Sequence, residues 1–85
     1  MPYIPDEDRT RLGIAYFMHE DCPNTAGELN YLFTMLAKQY VEKKGLSYQV
    51  INDIIGAFEG AKAEFQRRVV GPYEDKKIED NGDVY

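Results

Sequence analysis

The stretch Ser47 to Val70, SYQVINDIIGAFEGAKAEFQRRVV, constrains this chain more than any other. Ile51, Ile54, Ile55, Phe58, Ala61, Phe65 and Val69 recur at helical spacing and form one apolar stripe. At ~1.5 Å per residue the helix would span roughly 35 Å, whereas a compact domain of this size is ~30 Å across. It is therefore expected to run the full length of the molecule. Ser47 is placed as its N-cap, and Leu46 and Ile51 occupy the two positions of a hydrophobic staple. Gly71-Pro72 is expected to end it.

The middle of that helix carries a contradiction. Gly56 and Gly60 lie one turn apart on the side away from the stripe, near Ala63 and Arg67. Each costs ~1 kcal/mol relative to Ala in a helix interior. Either a partner approaches this bare backbone closely, as small residues allow between packed helices, or both are tolerated surface glycines.

Two more helices precede it. Asp6, Glu7 and Asp8 place negative charge where the helix dipole favours it, at the start of a helix expected over about 6–19. Its apolar residues do not keep to one face: Leu12, Ala15 and Tyr16 oppose Ile14, Phe17 and Met18. A helix apolar all round is buried all round, and 85 residues hold too few elements to cover both sides, so self-association is the simplest remedy. Thr25-Ala26-Gly27-Glu28 reads as a capping box opening a second helix over about 26–44. Leu29, Leu32, Phe33, Leu36 and Tyr40 form its core stripe, and Gly45 ends it behind Lys43 and Lys44. Tyr31 and Met35 stand one turn apart on its opposite face, a further apolar pair without an intramolecular role. The segment 71–85 is expected to be a charged tail or a short hairpin, with Asn81-Gly82 as a type I′ turn between Ile78 and Val84. The fold class expected is all-α: one compact three-helix domain with a long third helix and a short C-terminal hairpin or tail, assembled as a homo-oligomer.

Composition removes several functions. A net charge of −5 and a pI near 4.7 oppose general nucleic-acid binding, which needs a basic face. A single cysteine, Cys22, allows no disulfide within one chain and no cysteine-based metal cluster. No run of ~18 apolar residues suggests a membrane span, and Pro2 and Pro5 fit no signal peptide, so a cytosol is the expected compartment. His19, Glu20, Asp21 and Cys22 cannot easily surround one ion, and no orienting third group marks a Cys–His nucleophile pair; Asp21-Cys22-Pro23-Asn24 reads as a turn between two helices. Glu79, Asp80, Asn81 and Asp83 lack the alternate spacing and closing Glu of a calcium loop. Carboxylates such as Glu59 and Glu64 are present, but no spacing assembles a base, a nucleophile and an oxyanion donor. The chain is expected not to be an enzyme, and to need no metal or cofactor.

The segments MPYIPDEDR, GELNY, GLSYQVIND, EFQRRV, PYEDKKIE and the terminal NGDVY together resemble a family of short uncharacterised proteins found in bacterial and bacteriophage genomes. The likeness covers most of the chain and is weakest in RLGIAYFMHEDCPN. It carries no activity and no functional residues; what it implies is provenance as a phage accessory protein.

The preferred function is sequestration of a small anionic ligand, most concretely a nucleotide-derived signal of a host defence system, in the host cytosol. Arg67 and Arg68 would pair with phosphate, Lys76 and Lys77 would add charge, and Tyr31 and Tyr73, two of seven tyrosines, would stack on a base. Pockets would form between copies, with Gly56, Gly60, Phe17, Met18 and Met35 at the interface. The plainer account is that Arg67 and Arg68 suit the end of a helix and pair with Glu64 or the tail, and that Lys76 and Lys77 are a solvated face. The alternative function is an oligomeric adaptor or inhibitor of a host protein.

Overall fold

The computed structural model describes residues 3–17 and 21–85. The expected end of the first helix at His19, the interface candidate Met18 and Glu20 of the rejected metal cluster lie outside these residues. Every described element is helical, and no strand occurs among the described residues: α1 spans Asp6–Tyr16, α2 Ala26–Lys44, α3 Tyr48–Phe65 and α4 Gly71–Asn81. A π-helical segment, Gln66–Val70, joins α3 to α4 without a break. The all-α, three-helix reading holds, with the third helix extending to Asn81. Two compact units divide the chain, residues 3–54 and residues 55–85.

In the first unit, local signals set each helix end. Pro5 starts α1: its carbonyl accepts from the amides of Asp8 and Arg9, both at 3.0 Å. Arg9 pairs with Asp6 and Arg11 with Asp8, one turn apart on the surface. Thr25 caps α2, its Oγ1 accepting from the Glu28 amide at 3.1 Å. The return bond of the box falls one residue earlier than expected, because Glu28 Oε1 accepts from the Asn24 amide at 2.9 Å. Gly45 closes α2 at φ 83, a backbone conformation open to glycine. Ser47 Oγ then caps α3 by accepting from the Val50 amide at 3.1 Å. Leu46 remains 74% exposed, which leaves little of it to staple onto Ile51.

Polar bonds tie these helices together. Tyr16 of α1 donates to Gln39 Oε1 of α2 at 2.9 Å. Across the α2–α3 hairpin, Tyr40 donates to Asp53 Oδ2 at 2.9 Å, while Gln49 Nε2 donates to Asp53 Oδ1 at 2.7 Å. Apolar burial is slight: Val50, 6% exposed, is the one buried hydrophobic side chain among the described residues.

In the second unit the helix passes through the proline expected to stop it. Pro72 has no N–H to donate, and in an α-ladder its ring would crowd the Arg68 carbonyl four residues back. The wide turn relieves that crowding, with the Gly71 amide donating to Gln66 O five residues back. A Cβ on Gly71 would lie 3.4 Å from that same carbonyl, an ordinary van der Waals contact, so space alone does not require glycine there. Beyond Pro72, Glu74, Lys76, Lys77 and Glu79 are strong helix formers, and the segment continues as α4. Asn81-Gly82 is therefore not a hairpin turn. Gly82, at φ 87, is the helix stop, and its amide donates to Ile78 O at 2.7 Å. A lone two-stranded hairpin has no such ladder to build on and is marginal in water.

Candidate functional site

The π segment places both predicted arginines against one carboxylate. Arg67 Nη2 donates to Glu64 Oε2 at 3.0 Å, and Arg68 Nε lies 3.6 Å from the same oxygen. The arginine side chains are exposed and Glu64 is only a quarter exposed. Solvent-exposed ion pairs of this kind contribute about 0.2–1 kcal/mol each, so their main effect is positional: Glu64 draws the two cations to one place. An incoming anion would have to compete with that carboxylate for them.

One turn further on, Lys77 Nζ lies 5.5 Å above the Tyr73 ring, close enough for a cation–π contact. Arg67, Arg68, Tyr73, Lys76 and Lys77 thus share the second unit, in two local groups: the arginines on Glu64, and Lys77 on Tyr73. Tyr31 belongs to the first unit. It borders a concavity of about 260 Å³ lined by Asp21, Cys22, Pro23, Glu28 and Leu32, smaller than the ~300–1,000 Å³ usual for small-molecule pockets. Asp21 and Glu28 make its rim acidic, which disfavours the anion proposed for Tyr31.

Of the interface candidates, Phe17, Met35 and Gly56 are open to solvent. Phe17 is 74% exposed, Met35 is exposed on α2, and a Cβ on Gly56 would meet nothing within 4 Å. Nothing in the chain itself requires glycine at Gly56, while Gly60 is half-buried. Among the described residues no group of three or more His, Cys, Asp or Glu side chains could hold a metal ion, and Cys22 is a free, exposed thiol. No described helix is long and apolar enough to cross a membrane.

Two features escaped the sequence reading. One is the π segment, whose signal was available: a helical-period apolar stripe that continues to Val69, just before Gly71-Pro72, with helix formers beyond them. The other is the Tyr40–Asp53–Gln49 cluster. The hydrogen bond to Asp53, then burial and the nearby carboxylate charge, raise the Tyr40 phenol above its ordinary 10.0. Tyr40 also receives Lys44 Nζ at 5.9 Å from its ring. No spacing rule foretold this pairing, because Tyr40 and Asp53 meet only through the hairpin.

Helices held by polar ties, apolar stripes left half-covered and paired arginines in a π turn define a class: a small all-α protein with little apolar burial among its described residues. The chain belongs to the family described as Domain of unknown function (DUF6899), which matches residues 1–84. No curated protein and no solved structure matches it.

Proposed function

We propose that this protein is a non-enzymatic binding protein that works as an assembly of copies. The observation that carries the reading is burial. Each helix has large apolar side chains, yet only Val50 among the described residues is buried. Leu29, Leu32, Phe33 and Leu36 of the α2 stripe are each more than two-fifths exposed. Contiguous apolar surface of this kind marks an interaction site, and a second copy is the partner always present at matching concentration. Sedimentation equilibrium across a hundredfold concentration range tests it. A folded single subunit at the top of that range would refute the assembly, and stoichiometric capture of a host protein by that lone subunit would favour the adaptor reading.

A second reading concerns what the assembly binds. Segments of π-helix concentrate at functional sites, and this one carries Arg67 and Arg68, with Tyr73 and Lys77 in the next turns. Together they favour a small anionic ligand with a stackable ring. With the provenance that the resemblance implies, that ligand is a nucleotide-derived immune signal and the protein an anti-defence sponge. A panel of cyclic and linear nucleotides should then raise the melting temperature, with unaltered ligand recovered after denaturation. No shift with any member would remove this reading, and a chemically changed ligand would replace it with an enzyme.

A further inference from the structure

We infer that residues 58–77 of the third helix form a self-pairing seam whose occupant is a second copy of the chain, lying antiparallel to the first. This rests on the self-association proposed above and adds the surface and the direction. The π turn carries the argument through phase. Each α-helical residue advances by about 100°, so an unbroken helix would place Tyr73 about 80° around from Phe65. A π turn holds one extra residue, which sets the phase back by about 100°. Val69 and Tyr73 thereby return to within about 40° of the line through Ala61 and Phe65. The turn that admits Pro72 thus also keeps one apolar seam continuous across it. Phe65 is 58%, Val69 50% and Tyr73 63% exposed.

Area and charge identify the occupant. Taking ~200 Å² for an aromatic side chain, these three residues leave roughly 300 Å² uncovered per copy. A standard interface buries about 800 Å² per partner, and the stems of Lys62, Gln66 and Lys76 lie alongside to supply more. These three residues supply under half of that area, and a second copy presents an equal seam opposite them. Lys62 and Glu74 lie on the same flank, twelve positions apart. In an antiparallel pair with its two-fold axis at Arg68, Lys62 faces Glu74 of the second copy. Arg68 then approaches its own counterpart, and the Glu64 carboxylate beside each one offsets that like charge. A parallel pair would put Lys62 across from Ala57 and Glu64 across from Val70, with no ion pair in either place.

Cross-linking and charge exchange test the seam in the full chain. In a Cys22→Ser background, Val69→Cys should form an intermolecular disulfide on mild oxidation, because it lies beside the two-fold. Tyr73→Cys should not, since its counterpart would lie ~15 Å along the axis, beyond the reach of a disulfide. Lys62→Glu should weaken self-association about tenfold by opposing two like charges across each copy, and adding Glu74→Lys should restore it. Far-UV circular dichroism matching the wild type confirms that each variant is folded. A wild-type chain that sediments as a lone subunit overturns the underlying self-association. A wild-type oligomer overturns the seam alone if Val69→Cys fails to cross-link, if Tyr73→Cys cross-links equally well, or if the double charge variant is not rescued.

Discussion

Truncating Phe65 to Ala separates a chain that keeps this side chain in water from one that buries it in a partner. Phe65 is 58% exposed, which is about 115 Å² of a ~200 Å² ring. Covering it would contribute about 3 kcal/mol per copy at ~25 cal/mol per Å². A symmetric pair buries two such rings, so Phe65→Ala should cost about 6 kcal/mol of association, or about four decades in Kd. The part of the ring already covered within the chain costs about 2 kcal/mol on the same scale. Better helix propensity returns about 0.5 kcal/mol of that. The variant should therefore remain helical and become a single subunit at concentrations where the wild type is assembled. Sedimentation velocity from micromolar to near-millimolar protein, with circular dichroism on the same samples, reads both quantities. A change in Kd below tenfold would refute the reasoning, because it would mean that Phe65 stays in water in the assembly.

Other perturbations follow from local geometry. Thr25→Ala removes the acceptor for the Glu28 amide and should cost about 1 kcal/mol, seen as a lower urea midpoint with an unchanged m-value. Tyr40→Phe removes the donor to Asp53 and should lower thermal stability. The Tyr40 phenol is raised above 10.0 in the fold, so the folded state holds its proton more tightly than the unfolded chain. Its contribution is full below pH 10.0 and is lost as pH rises through the folded value. Alkaline melting curves should fall more steeply for the wild type than for Tyr40→Phe, and parallel curves would contradict the bond. Gly56→Leu places a side chain where nothing in the chain obstructs it and gains about 0.8 kcal/mol of helix propensity. If a partner approaches that backbone, the same change should abolish assembly while helicity rises; an assembled variant would show that Gly56 is only a tolerated surface glycine.

What the sequence by itself determined are the helix limits governed by neighbours within one turn. Thr25 and Ser47 satisfy amides three residues on, and Gly45 supplies a positive φ, so each decision is complete in a few residues. The pairing of Arg67 and Arg68 with Glu64 was legible for the same reason, being spaced at three and four positions on one helix. Two outcomes required the folded chain. At Gly71-Pro72 the local rule gave a stop, yet the helix continues because a one-residue-wider turn accommodates the proline ring while Gly71 keeps a hydrogen bond to Gln66; a propensity scale holds no term for that alternative backbone ladder. Asp53 acquires Tyr40 only once Gly45 has reversed the chain and brought α2 beside α3, and a contact across thirteen positions leaves no periodic trace in the sequence.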